Sequence, residues 1–196
     1  MKGIFKGEGM EQPRILIACI GNIFQGDDAF GVEVAKQLRQ REMPDAVRVV
    51  DYGIRGFDLA YALMDGYDVT IFVDATMRGN APGTLYVIEP DLQEFDESTE
   101  QGLMVEPHGM NPLKVLRMAH SMGAQFNKLL VVGCEPASLG GEEGAMGLSA
   151  PVQAAVGEAV KLLEELIKEN LYGCSSPERS QHSASGRSKS SGGEVG

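Results

Sequence analysis

The stretch "IACIGNIFQGDDAFGV", residues 17–32, leads from an apolar run through two glycines into a pair of aspartates. The continuous apolar run at 14–21 is typical of a strand covered on both faces of a sheet. Residues 28–42 then repeat apolar side chains at helical spacing and end near Arg39 and Arg41, which suit a helix C-terminus. Two aspartates therefore stand where a buried strand is predicted to turn into a helix.

The rest of the chain alternates in the same way. Further strands are predicted at 47–53, 68–76 and 128–136, and further helices at 56–66, 111–123 and 149–170. Such alternation favours a parallel sheet with right-handed crossovers. The strand-like run 83–90 follows its predecessor too closely for a parallel crossover, so we expect it to be antiparallel, beside strand 68–76. The sequence predicts an α/β fold: a three-layer domain with a mostly parallel five-stranded sheet, one antiparallel strand and helices on both faces.

Composition divides the chain into three parts. From Cys174 onward the sequence has eight serines in 23 residues and almost nothing apolar, so it cannot bury enough surface to offset its ordering entropy. We predict a single folded α/β domain at 14–172, a flexible N-terminus at 1–13 and a disordered Ser/Gly-rich tail at 173–196.

Charge and hydropathy exclude several classes of function. The formal net charge of −11 argues against nucleic-acid binding, which needs a basic surface. No apolar run approaches the roughly 20 residues of a membrane helix, and the N-terminus lacks the apolar core of a signal peptide. Two of the three cysteines, Cys19 and Cys134, lie in strand-like runs where buried free thiols are common. We expect a cytoplasmic protein, and a monomer, because no exposed apolar helix face is evident.

Three polar residues are predicted at one edge of the sheet. Ligands of open α/β sheets bind beyond the carboxyl ends of the strands. Asp28 follows the first strand, Asp74 ends the third, and His108 lies in the segment before the helix at 111–123. Two carboxylates and an imidazole suit a borderline divalent ion such as nickel or zinc.

Each of these residues also has a structural interpretation. Asp27 could cap the helix and complement its dipole, whereas Asp28 falls one residue too late for the best cap. Asp74 could initiate a turn, and His108 alone could be a surface histidine. His120, in a predicted helix, and His182, in the tail, are not expected to take part. The residues alone leave the metal site and these structural roles both open.

Other chemistries fit the sequence less well. The loop "GNIFQG" matches neither glycine-rich phosphate-binding pattern, and two aspartates at the helix start would repel a phosphate. No GxSxG motif is present, and no cysteine lies in an evidently electropositive setting. An acid-protease dyad of Asp27 and Asp28 is not expected, because adjacent residues at a helix start do not face one another.

The motif "GNIFQGDDAFGV" resembles the N-terminal motif of the hydrogenase maturation endopeptidases, in which a Gly-Asn turn leads to a D-[DE]-x-x-G run. The resemblance continues, in the family's order, through "DYGIRGFDL" (51–59), "IFVDAT" (71–76), "APGT" (81–84), "EPHGMNP" (106–112), "VVGCEP" (131–136) and "GLSAPV" (147–152). It covers nearly the whole predicted domain and is therefore much more specific than any one motif.

The resemblance implies an enzyme that removes a short C-terminal peptide from the precursor of a nickel–iron hydrogenase large subunit after nickel insertion. Its metal-binding positions correspond to Asp28, Asp74 and His108, which would also carry catalysis. The nickel would come with the substrate, and no organic cofactor is implied. Some members have Glu where this chain has Asp28, and the run 137–146 is longer than usual. A nickel-binding chaperone for the same precursor and a metabolite-binding α/β domain remain as alternatives.

Overall fold

The computed structural model describes residues 12–90, 112–140 and 144–173. Its elements are β1 (Ile15–Ile20), α1 (Phe30–Leu38), β2 (Val47–Gly53), α2 (Gly56–Leu63), β3 (Val69–Ala75), β4 (Leu85–Ile88), α3 (Pro112–Ser121), β5 (Lys128–Cys134) and α4 (Ala150–Tyr172). Among the described helices, none combines the length and apolar character needed to cross a membrane. The predicted tail from Cys174 onward, most of the predicted flexible N-terminus and His182 lie outside the described residues and stay predictions.

The five strands form one sheet in the order β2-β1-β3-β5-β4. The first four strands of that order are mutually parallel, and β4 runs antiparallel to β5. The predicted mostly parallel sheet with one antiparallel strand is confirmed. The expected position of the antiparallel strand beside β3 is wrong. All of β3 from Val69 to Ala75 pairs with β5, so β4 takes the outer edge, where Leu85 lies opposite Cys134.

Alternating side chains of β1 fill two cores, one on each face of the sheet. Ile15, Ile17 and Cys19 pack with buried residues of α1 and α4. Leu16, Ala18 and Ile20 pack with buried residues of α2 and α3. Because burying one large aliphatic side chain stabilises a fold by roughly 1.5–3 kcal/mol, a strand covered on both faces is a strong determinant of this arrangement. The predicted three layers are confirmed, as are the buried free thiols of Cys19 and Cys134.

The predicted helix at 28–42 is shorter than expected. A 3-10 helix spans Gly26–Ala29, and α1 begins only at Phe30 and ends at Leu38. The N–H of Asp28 donates to the carbonyl of Gln25 at 3.2 Å, the three-residue spacing of a 3-10 turn. Asp28 therefore projects from a tight connection between β1 and α1.

The order in which the chain adds strands to the sheet reverses at β1. From β1 it passes through α1 to β2 on one side, and then through α2 to β3 on the other side. The helices α1 and α2 pack on opposite faces, which opens a crevice between the carboxyl ends of β1 and β3. Such a switch point is the usual ligand site of open α/β sheets.

Candidate active site

Asp28 and Asp74 meet at this switch point. Asp74 is the second-last residue of β3, and Asp28 lies in the 3-10 helix after β1. Burial raises the pKa of the Asp74 carboxyl well above its ordinary value, and the nearby charge of Asp28 raises that pKa further. The N–H of Ala75, which donates to Asp74 Oδ1 at 2.9 Å, acts in the opposite direction. The structure thus brings together two of the three residues that the sequence predicts for the site.

The half-buried Asp28 carboxylate is oriented by the turn that precedes it. The N–H of Asn22 donates to Asp28 Oδ2 at 2.9 Å. The side-chain oxygen of Asn22 accepts in turn from the N–H of Phe24 at 3.0 Å, which closes a local turn. The Gly-Asn turn of the motif therefore fixes one carboxylate oxygen relative to the end of β1.

Two glycines allow the turn to lie directly against the strand ends. Gly21 has a φ of +146°, and a Cβ on it would lie 1.9 Å from the carbonyl oxygen of Asp28. A Cβ on Gly31 would lie 2.1 Å from the carbonyl oxygen of Ile20 and 2.4 Å from that of Val73. Only glycine fits these contacts. They let the start of α1 approach β1 and β3 closely enough to set Asp28 near Asp74.

Asp27 has a different role from the one predicted. Its side chain is only 1% exposed. Oδ2 accepts hydrogen bonds from the N–H groups of Ala137 (2.7 Å) and Ser138 (3.2 Å), and from the hydroxyl of Ser149 (2.9 Å). Oδ1 accepts from the N–H of Ser149 at 2.6 Å. The N-cap position belongs to Gln25, and within the described residues no side chain caps the 3-10 helix, so the predicted helix-capping role is wrong.

The neighbouring carboxylates of Asp27 and Asp28 do not form an acid-protease dyad. Asp27 bonds to the segments that contain Ala137 and Ser149, whereas Asp28 bonds to Asn22. This agrees with the expectation from their adjacent positions.

The third predicted residue, His108, lies outside the described residues, so its placement stays a prediction. His120 is exposed near the end of α3. Among residues 12–90, 112–140 and 144–173, no three His, Cys, Asp or Glu side chains group closely enough to hold a metal ion. The described part of the site thus offers two carboxylates, and oxygen ligands of this kind suit divalent ions.

Glu135, which the sequence patterns did not single out as a site residue, directly follows β5 and is only 3% exposed. Its carboxylate accepts hydrogen bonds from the N–H groups of Arg78 (2.9 and 3.0 Å) and Gly79 (3.0 Å), and from the hydroxyl of Tyr86. The Tyr86 bond and the backbone bonds lower the pKa of Glu135. The residue holds the loop that follows Asp74. The sequence does contain a signal for this residue. In "VVGCEP", an acidic residue directly follows a strand-like apolar run.

Large apolar side chains are exposed on the segments after all four parallel strands, at the edge that carries Asp28 and Asp74. They are Ile23 and Phe24 after β1, Ile54 and Phe57 after β2, Met77 after β3 and Met146 after β5, and we call them the apolar rim. Exposed apolar groups clustered around a site are typical of a surface that contacts another macromolecule.

Helix α2 exposes Phe57 and Tyr61, and Met64, which directly follows the helix, continues the same exposed face. The monomer prediction assumed that no such face exists, and that premise is wrong. Oligomeric state itself stays a prediction.

The fold and its carboxylates define an α/β protein with an acidic site at a strand-order reversal. The family model described as hydrogenase maturation protease matches residues 32–166. The chain is 32% identical to the hydrogenase 2 maturation protease of Escherichia coli over 159 residues, covering 80% of this chain and 92% of that protein. It is 33% identical to the hydrogenase expression/formation protein HoxM of Azotobacter vinelandii over 162 residues, covering 82% and 75%.

Among solved structures, the hydrogenase maturating endopeptidase HybD from Escherichia coli superimposes with a TM-score of 0.65 at 31% identity, covering 80% of this chain and 93% of that one. A hydrogenase 2 maturation peptidase from a Thaumarchaeota archaeon gives a TM-score of 0.60 at 31% identity, covering 79% and 97%. The chain belongs to the hydrogenase maturation protease family and is accordingly a peptide-bond hydrolase. The predicted family and fold are both confirmed.

Proposed function

We propose that this enzyme is the endopeptidase that removes the C-terminal peptide of a nickel-loaded hydrogenase large-subunit precursor. The observation that carries the proposal is the convergence of Asp28 and Asp74 at the β1/β3 switch point. Family membership supplies the reaction class, and the relatives named as hydrogenase maturation proteases support the substrate. The enzyme acts in the cytoplasm.

In this proposal the nickel ion is part of the substrate. Asp28 and Asp74 offer oxygen ligands and His108 offers an imidazole nitrogen, a mixed set that suits nickel. Two nearby carboxylates repel each other, and a divalent cation between them relieves that repulsion. A precursor without nickel would gain none of this stabilisation and would bind weakly. Nickel thereby reports that the precursor is ready for cleavage.

The bound nickel can assist hydrolysis as a Lewis acid, either by polarising the scissile carbonyl or by lowering the pKa of a water molecule. The protein's own contribution is geometric. The glycine contacts at Gly21 and Gly31 and the bond from Asn22 hold Asp28 beside the end of β3. A rigidly held pair of ligands places the reacting bond with little loss of entropy on binding.

The apolar rim favours a protein substrate over a small metabolite. The exposed fractions of its residues range from 41% at Ile23 to 78% at Met146. A small ligand would leave most of this surface in water, whereas a folded precursor can cover it. A nickel-binding chaperone would use the same surface and the same ligands, so only the cleavage assay separates it from the protease.

The test is incubation of the purified chain with nickel-loaded and nickel-free precursor, with the released peptide followed by mass spectrometry. We expect release only from the nickel-loaded form. Asp28→Asn should abolish release, while Asp45→Asn, at an exposed position before β2 on the opposite edge of the sheet, should release peptide normally. Nickel-dependent binding without release by the unmodified chain would instead support the chaperone.

A further inference from the structure

We propose that Asp27 is a positioning residue that holds Asp28 in place by clamping the turn after β1 to the chain between β5 and α4. Residues 137–140 and 144–149 of that chain are here called the clamp segment. The inference rests on the proposed function only through the role of Asp28. The clamp itself can be tested without any cleavage.

The clamp joins backbone to backbone as well as side chain to backbone. The N–H of Gly26 donates to the carbonyl of Ala145 at 2.7 Å, and the N–H of Ala145 donates to the carbonyl of Phe24 at 2.9 Å. The N–H of Asp27 donates to the carbonyl of Ser138 at 3.1 Å. With the four bonds accepted by the Asp27 carboxylate, seven hydrogen bonds tie this turn to the clamp segment.

Glycines in the clamp segment make this close approach possible. A Cβ on Gly140 would lie 3.0 Å from the Cα of Gln25, and a Cβ on Gly144 would lie 3.0 Å from the carbonyl oxygen of Phe24. Both glycines have positive φ, +78° and +71°. The described residues 137–140 and 144–146 of this connection therefore lie against the turn, which gives Gly140 and Gly144 a structural reason.

The clamp requires a carboxylate. All four of its donors are N–H or O–H groups, and a carboxylate offers only acceptors on both oxygens. In Asp27→Asn, the side-chain N–H₂ group would face the donors of either Oδ1 or Oδ2, and two facing donors cannot form a hydrogen bond. The three backbone bonds alone would then hold the turn to the clamp segment, and Asp28, the next residue, would be held less firmly beside Asp74.

Two variants separate this clamp from a general contribution to stability. Asp27→Asn removes the acceptor geometry, and Ser149→Ala removes only the hydroxyl donor. Ser149 occupies the N-cap position of α4, but its hydroxyl is directed to Asp27 rather than to the helix. Ile167→Val, which deletes one methylene from a buried site in α4, is the control for lost stability.

The first measurement is hydrogen exchange at the Asn22 amide, at a temperature where every variant is folded. That amide bonds to Asp28 Oδ2 and makes no bond to Asp27, so it reports the placement of Asp28. We expect exchange at least tenfold faster in Asp27→Asn, an intermediate rate in Ser149→Ala, and an unchanged rate in Ile167→Val. Equal rates in Ser149→Ala and Ile167→Val would overturn the proposal. If Asp27→Asn folds at no temperature, the comparison of these two variants alone decides it.

The second measurement is peptide release from nickel-loaded precursor. We expect kcat/KM to fall at least tenfold in Asp27→Asn, because a displaced Asp28 no longer holds the nickel of the precursor correctly. A kcat/KM equal to that of Ile167→Val would overturn the positioning role. If the unmodified chain releases no peptide while the Asn22 amide still responds, the proposed function fails and the clamp stands.

Discussion

The Cα of Gly31 lies so close to the carbonyl oxygen of Ile20 that a methyl group on Gly31 would be 2.1 Å from that oxygen. This contact joins the first turn of α1 to the last residue of β1. It lies three residues after Asp28, so the same close approach that packs the helix also sets the depth of the site carboxylate in the crevice.

We predict that Gly31→Ala lowers the free energy of unfolding by on the order of 3 kcal/mol, because the new Cβ overlaps backbone oxygens that cannot move independently. The matched control is Gly157→Ala in α4, where a Cβ would meet no described atom within 4 Å. That variant should gain about 0.5–1 kcal/mol from helix propensity. Denaturant midpoints measure both. Equal effects at the two positions would contradict the packing role of Gly31.

Asp74 is predicted to lower stability at neutral pH. Burial, and then the charge of Asp28, raise the pKa of Asp74 in the folded state above the unfolded value of about 3.9. The folded state therefore binds this proton more tightly, and Asp74 costs stability increasingly as pH rises above about 4. Asp74→Asn should have a higher denaturant midpoint than the parent at pH 7, and the difference should vanish below about pH 4.

The same Asp74→Asn variant should release peptide at least about a hundredfold more slowly, because an anionic ligand is lost. A variant that is more stable but less active is the expected result when the substituted residue serves function rather than folding. A lower midpoint at pH 7 would show that the Asp74 carboxylate is structural.

Glu135 should show the opposite dependence on pH. The Tyr86 hydrogen bond, followed by the backbone N–H bonds, lowers the folded-state pKa of Glu135, so its contribution to stability is present above the unfolded value of about 4.3. That contribution is lost as pH falls through the folded pKa. Glu135→Gln should lower the denaturant midpoint at pH 7, and the deficit should shrink in acid. Glu158→Gln, at an exposed position of α4, is the control and should leave the midpoint unchanged.

The apolar rim can be tested with two aromatic residues of equal exposure. Phe24 is 61% exposed beside the site, and Tyr172 is 62% exposed at the far end of α4. We predict that Phe24→Ser raises KM for the nickel-loaded precursor about tenfold, as expected when an apolar anchor worth about 1.4 kcal/mol is removed. Tyr172→Ser should leave KM unchanged. Similar KM values for both variants would place the substrate elsewhere on the surface.

Local patterns in the chain were enough to predict the elements of this fold and the edge of the sheet that carries the site. The apolar run of β1 and the alternation of strands and helices are local patterns, and burial of those patterns produces the parallel sheet. The placement of Asp28 and Asp74 followed from one rule, that the carboxyl ends of parallel strands share an edge. The resemblance to a known family gave the reaction class before any tertiary contact was known.

The partner of β4 and the roles of Asp27 and Glu135 depend on contacts between distant parts of the chain. Both β4 and β5 could have paired with β3, and the apolar pattern of a strand does not indicate which neighbour it takes. The donors to Asp27 are 110 to 122 residues away in the chain, so the residues around Asp27 indicate only a helix cap. Likewise, Glu135 accepts from Gly79, 56 residues earlier. A buried carboxylate takes whichever donors the packed fold supplies, and those donors become neighbours only when the sheet and its loops have assembled.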